Sequence, residues 1–93
     1  MTPQDLSDYL EKRGASETAA LMDKLGFSGD FVAANVLAGE EPVTVSRIAM
    51  LWMGMPNKHD RKRVRQLFDA LTQVGLLTPQ GDEETWLPVG QPA

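Results

Sequence analysis

Apolar positions along the chain recur every three or four residues, a spacing typical of helices that bury one face. In the first half this spacing predicts three short helices. Each is followed by a glycine that can end it, namely Gly14, Gly26 and Gly39. Thr2 is predicted to cap the first helix and Ser16 the second. The third helix is predicted to run from Phe31 to about Ala38.

The second half contains two stronger helical patterns. Thr44 is predicted to cap a fourth helix, whose apolar stripe is Val45, Ile48, Ala49 and Trp52. A fifth and longest helix is predicted to begin at a cap formed by Asn57 or Asp60 and to end near Val74. Its apolar stripe is Val64, Leu67, Phe68, Leu71 and Val74.

Strand-like segments follow the fifth helix. Residues 76–78 and 85–87 are rich in strand-forming side chains, and residues 79–82 between them have the composition of a turn. A brief strand is also predicted at 43–44. The fold class predicted is therefore mostly α with a small β-hairpin.

The length of 93 residues, of which 42% are apolar, is typical of one globular domain. We expect 1–93 to form a single domain, with 1–40 as an N-terminal helical scaffold for the part at 41–90. Residues 91–93 are expected to be a frayed tail.

The part at 41–90 resembles the winged helix-turn-helix superfamily. The resemblance is carried by the segments 44–49 (TVSRIA) and 71–77 (LTQVGLL) and by the hairpin centred on Gly81. It implies a winged-helix-like domain with extra N-terminal helices. It further implies a recognition helix in the DNA major groove and a wing that contacts the backbone or minor groove.

Two features depart from that family's pattern. The turn between the fourth and fifth helices, from Gly54 to about Asp60, is expected to be longer than the tight family turn. The expected wing tip is acidic, with Asp82, Glu83 and Glu84 in succession. Phosphate groups would repel such a tip.

The charges are unevenly distributed along the chain. The net charge is −4, yet five of the nine Lys and Arg residues fall within 58–65. At 100° per residue, the solvent side of the fifth helix carries cations and amides, which suit phosphates and base edges. The predicted nucleic-acid-binding residues are Lys58, Arg61, Lys62, Arg63, Arg65, Gln66 and Gln73.

Two functional hypotheses follow from this pattern. In the first, the chain is a small DNA-binding transcriptional regulator that we expect to act as a homodimer, with the basic helix from Arg61 as its recognition helix. In the alternative, it is a protein–protein interaction module of the same shape that does not bind DNA. A third interpretation is a solvated surface whose cations pair with Asp60, Asp69 or the acidic first half.

Three methionines surround Trp52 at the end of the fourth helix. Trp52 continues the apolar stripe and is expected in the core. Met50 and Met53 lie off that stripe, and we expect them to fill gaps in the core. The alternative is that these two residues form an adaptable contact surface, for example in a dimer.

Catalytic and metal-binding signatures are missing from the sequence. There is no cysteine, and the only histidine is His59, with Asp60 beside it, so we predict no metal site and no cofactor. No nucleophile–base pair or phosphate-binding glycine loop is recognisable, and we expect no enzymatic activity. We expect a cytoplasmic location without membrane association, since no apolar run approaches the length of a membrane span.

Overall fold

A computed structural model describes residues 2–39, 41–81 and 84–89, so the predicted tail at 91–93 lies outside the described residues. The chain is mostly helical with a small three-stranded antiparallel sheet, which confirms the predicted mostly-α class. The helices are α1 (Pro3–Lys12), α2 (Ser16–Leu25), α3 (Gly29–Phe31), α4 (Val45–Met53) and α5 (Lys58–Gln73). The strands are β1 (Val43–Thr44), β2 (Leu77–Pro79) and β3 (Thr85–Pro88). No helix within the described ranges has the length and apolar character needed to cross a membrane.

The first helix begins in a capping box and is fastened to the far end of α5. The Thr2 hydroxyl accepts a hydrogen bond from the Asp5 backbone N–H, and the Asp5 carboxylate accepts one from the Thr2 N–H. The Tyr9 hydroxyl donates to the Val74 carbonyl at 2.7 Å. Gly75 follows with φ +84°, and a Cβ there would lie 3.2 Å from the Tyr9 hydroxyl oxygen. Glycine is therefore required at this junction.

The second helix starts differently from the prediction. Ser16 is its first residue, whereas Ala15 occupies the cap position without a side-chain hydrogen bond, so the predicted Ser16 cap is wrong. The cap position falls on Ala15 instead of Ser16, because the Ala15 N–H donates to the Leu10 carbonyl at 2.8 Å. This bond makes the α1–α2 connection tight, and α2 starts one residue earlier than a Ser16 cap would place it.

The third helical segment begins earlier and ends earlier than predicted. Ser28 caps α3 by accepting a bond from the Phe31 N–H at 3.1 Å, so the helix starts before Phe31. After Phe31 the chain widens into a π-helical turn over Val32–Val36, and it does not continue to Ala38. The wider turn directs Val32, Ala33 and Val36 into the core together.

The sheet has the strand order β1–β3–β2. Val43 pairs with Trp86 and Thr78 pairs with Leu87. The predicted hairpin is thus present, with β2 beginning one position later than expected and β3 ending at Pro88. The Gln80 N–H donates to the Thr85 carbonyl at 3.1 Å and closes the hairpin. Asp82 of the predicted turn lies outside the described residues.

One hydrophobic core joins residues from both halves of the chain, from Leu6 to Trp86. At its centre is α5, which packs against α2, α4 and β2. The α5 stripe is buried as predicted for Val64, Leu67, Phe68 and Leu71, each of which is 0% exposed, whereas Val74 is half-buried. The orientation of α5 is therefore fixed by its own apolar stripe.

This burial predicts a sharp difference between neighbouring positions of α5. Leu67→Ala should lower the free energy of unfolding by about 2–5 kcal/mol, because it leaves a cavity at the centre of the core. Gln66→Ala should leave it almost unchanged, since that side chain is exposed. Denaturant unfolding of both variants measures the difference. Equal losses would show that this face of α5 is assigned incorrectly.

Candidate nucleic-acid interface

The connection between α4 and α5 is shorter than the sequence suggested. Since α4 ends at Met53 and α5 begins at Lys58, only residues 54–57 lie between them. The expected long turn to about Asp60 is wrong because Asp60 lies inside the helix as part of its cap. A connection of this length falls within the roughly three to four residues of helix-turn-helix turns.

A capping box defines the start of α5. The Asn57 side-chain oxygen accepts hydrogen bonds from the N–H groups of His59 and Asp60, at 2.9 and 3.0 Å. The Asp60 carboxylate in turn accepts the Asn57 N–H at 3.0 Å and is only 7% exposed. Asp60 is therefore engaged in holding the helix start.

All seven residues predicted to bind nucleic acid are exposed on α5. They are Lys58, Arg61, Lys62, Arg63, Arg65, Gln66 and Gln73. Within the described ranges, none of the five cations forms an ion pair with a carboxylate. Asp69, on the same side of the helix, is exposed as well. The positive charge at the first half of α5 is thus available to a ligand.

Two of these cations are held against neighbouring elements. The Arg61 guanidinium donates to the Pro56 carbonyl at 3.2 Å, which places it beside the α4–α5 connection. The Arg65 guanidinium carbon lies 5.8 Å from the centre of the Trp86 ring, on the side of β3. Arg61 and Arg65 therefore border the exposed face of α5, and the hairpin adjoins it.

The two predicted amide side chains lie apart from these arginines. Gln66 and Gln73 line a shallow groove of about 450 Å³ between α5 and α2, together with Lys24. Leu21, Leu25 and Ala70 complete its lining. The predicted set thus divides into a cationic group near the start of α5 and an amide pair that faces α2.

The methionines are not core residues, so the favoured gap-filling interpretation is wrong. Met50 is 60% exposed, Met53 48% and Met55 93%. Trp52 is half-buried and stacks on Phe27 with ring centres 4.2 Å apart, as its place on the stripe suggested. The α4 stripe already fills the space against the core, so the side chains off that stripe turn to solvent.

Sequence reasoning missed one member of this exposed apolar group. Leu51 is 55% exposed beside Met50, although leucine is normally a core residue. Its position on the helix could have predicted this exposure. The buried Ile48 and Ala49 face the core, and the opposite side of α4 therefore faces solvent. We call Met50, Leu51, Met53 and Met55 the methionine surface.

The described part of the chain contains no cluster of three His, Asp or Glu residues that would hold a metal ion. His59 is exposed at the start of α5. No protein-family model, no curated protein and no solved structure matches this chain. Its function is therefore inferred from its own residues.

The capping box yields a test that separates structural from electrostatic roles on α5. Asp60→Ala should lower the free energy of unfolding by about 1–2 kcal/mol, because the Asn57 N–H loses its buried acceptor. Asp69→Ala removes the same charge from an exposed site and should change stability little. Thermal or urea unfolding compares the pair. If Asp60→Ala leaves the free energy of unfolding unchanged, the capping box does not stabilise α5.

Proposed function

We propose that this chain is a DNA-binding module of winged-helix type, with α5 as its recognition helix and a role as a small transcriptional regulator. The observation that carries the proposal is the exposed first half of α5. It presents five cations without a described ion pair, directly after a turn of helix-turn-helix length. No catalytic step is part of this function, and the expected cytoplasmic location belongs to the same proposal.

The order of elements supports the winged-helix part of the proposal. A short strand, a helix, a tight turn, a second helix and a hairpin follow one another from β1 to β3. The Val45 N–H at the start of α4 donates to the Glu84 carbonyl at 3.3 Å, which joins the helix pair to the hairpin. A recognition helix next to a wing is the arrangement that this superfamily uses on DNA.

The side chains of α5 are suited to contact both the phosphate backbone and the base edges of a duplex. Lys58 and Lys62 are exposed and extend from the helix without a described partner, as phosphate-binding lysines do. Arg65 has the fork geometry that can pair with guanine in the major groove. Clustered cations near a helix N-terminus oppose the helix dipole by a few tenths of a kcal/mol each. A polyanionic ligand offsets that cost.

A single module of this size contacts DNA over roughly 600–1,000 Å² of protein surface, which limits its affinity. A homodimer on two half-sites would double these contacts, as in other helix-turn-helix proteins. The homodimer therefore forms part of the proposal. The stoichiometry of the DNA complex tests it directly.

The alternative is a protein-interaction module of the same shape that does not bind DNA. Two observations favour it, namely the net charge of −4 and the exposure of the methionine surface beside α5. Interfaces between proteins are enriched in methionine and arginine, whereas DNA contacts are dominated by polar and charged groups. DNA titration separates the two functions.

The DNA proposal predicts a defined salt dependence. Lys62→Ala should lower the slope of log K against log salt concentration by about 1, because one phosphate contact and its released counterion are lost. Lys12→Ala, which removes an exposed lysine from α1, should leave the slope unchanged. Fluorescence anisotropy with a duplex selected from a random library, at several salt concentrations, measures both. A wild-type chain that enriches no sequence and shows no salt-sensitive binding would falsify the proposal.

Sequence preference is tested at Arg65. Arg65→Lys keeps the positive charge but loses the fork that binds two base atoms, so discrimination at one base pair should fall by about 1–3 kcal/mol. The melting temperature is the control, since Arg65 also lies over the Trp86 ring. Repeating the library selection with the variant shows whether that position is relaxed. If the base preference is unchanged at every position, Arg65 contacts only the phosphate backbone of the DNA.

The acidic segment between the hairpin strands predicts an opposite effect. Replacing Asp82, Glu83 and Glu84 together with Gln should strengthen DNA binding at low salt, because three negative charges near the hairpin no longer repel phosphate. The effect should shrink as salt is added. Titration of the triple variant against the wild type measures it. Identical affinities at low salt would place this segment away from bound DNA.

A further inference from the structure

We propose that the methionine surface is a docking site for an acidic amphipathic helix of a partner protein. This interaction is separate from DNA binding and does not depend on it. The surface lies on the outer side of α4 and on the connection to α5.

The methionine surface contains most of the exposed large apolar side chains among the described residues. Among the described residues, the large apolar side chains that are exposed are the four of the methionine surface and Val89. Four of these five lie within 50–55, so the apolar exposure of the described residues is concentrated in one short segment of the chain. Contiguous exposed apolar surface is typical of binding sites. Methionine is unbranched and adapts its shape to a partner, as in proteins that bind amphipathic helices.

The shape of the methionine surface also suits a helical partner. A shallow groove of about 390 Å³ runs between α4 and the start of α5. Met50, Met55 and Pro56 supply its apolar lining, while Ser46 and Gly54 contribute small residues that leave it open. A groove with an apolar floor between two helices suits the apolar stripe of a third helix.

The charged residues around the groove favour an acidic partner. Arg61 lines the same groove, and its hydrogen bond to the Pro56 carbonyl holds the guanidinium at the rim. No Asp or Glu occurs from Val43 to His59, and the charged residues in that segment are Arg47 and Lys58. Glu41 lines a different groove, beside Leu51 and Arg47. The rim on the Arg61 side is thus positive, and carboxylates flanking an apolar stripe complement it.

The same features disfavour a second copy of this chain as the occupant. A twofold contact through the methionine surface would place the Arg61 guanidinium groups of both copies in one interface, where they repel. A contact with another face would need an apolar stripe edged by carboxylates. Among the described residues, Val89 is the one large apolar side chain exposed outside the methionine surface. A partner of different sequence therefore fits better.

A bound acidic helix would also affect α5. Arg61 borders both the methionine surface and the face of α5 proposed for DNA, and Lys58 begins the same helix. A partner that covers Arg61 would neutralise part of the charge that attracts phosphate. A partner bound at the methionine surface is therefore expected to weaken DNA binding.

The experiment is selection of displayed helical peptides on the full chain. Each peptide carries leucine at helical spacing, and its other positions are randomised among Glu, Lys, Gln and Ser. We expect enrichment of Glu on one flank of the leucine stripe. The selected peptide, measured as a free synthetic peptide, should bind Met50→Ser/Met55→Ser at least about ten-fold more weakly. Val89→Ser, which removes an exposed apolar side chain elsewhere, should bind it like the wild type.

The role of charge is tested with Arg61→Glu. Selection on this variant should lose the preference for Glu at the randomised positions, while peptides that carry the leucine stripe are still captured. Unchanged melting temperatures show that the variants are folded. No enrichment, enrichment without Glu, or equal binding to the methionine double variant would overturn the proposal. Self-association in sedimentation, or co-sedimentation with phosphatidylserine vesicles, would overturn it as well if the same double variant abolished it.

Discussion

The complete burial of one side of α5 is the constraint on which the rest of the structure depends. Val64, Leu67 and Phe68 are fully buried, and α2, α4 and β2 all pack against this helix. Burying such side chains contributes about 1.5–3 kcal/mol each. Because rotation of α5 would expose them, the opposite side of the helix is fixed toward solvent. The cations on that side are exposed as a consequence of core packing.

The helix start is defined as firmly as the helix face. The Asn57–Asp60 capping box begins α5 at Lys58, and this makes the connection to α4 short. The same box holds the carboxylate of Asp60, the acidic side chain closest in sequence to the cations, against the helix start. A single local interaction thus sets the length of the turn and the residue at which the cationic face begins.

Two surfaces of different chemistry meet at Arg61. The exposed side of α5 is cationic, whereas the outer side of α4 and the connection after it are apolar. Arginine suits both environments, because its guanidinium binds phosphate or carboxylate and its stem packs on apolar side chains. Because Arg61 borders both surfaces, phosphate at the α5 face and carboxylate at the methionine surface would compete for the same guanidinium. Neither surface has a described counterpart within the chain.

The sequence alone determined the helical class, the buried stripe of α5 from Val64 to Leu71, the hairpin and the exposure of all seven proposed site residues. These features depend on local periodicity and capping chemistry, which neighbouring residues encode. Only the tertiary structure decided the rest. The fate of Met50 and Met53 depended on how much space the α4 stripe left in the core, and the separation of Gln66 from Arg65 depended on where α2 packs. The π-helical turn after Phe31 likewise arises where three small apolar residues enter the core together. Such outcomes depend on contacts between segments distant in sequence, and no local pattern records them.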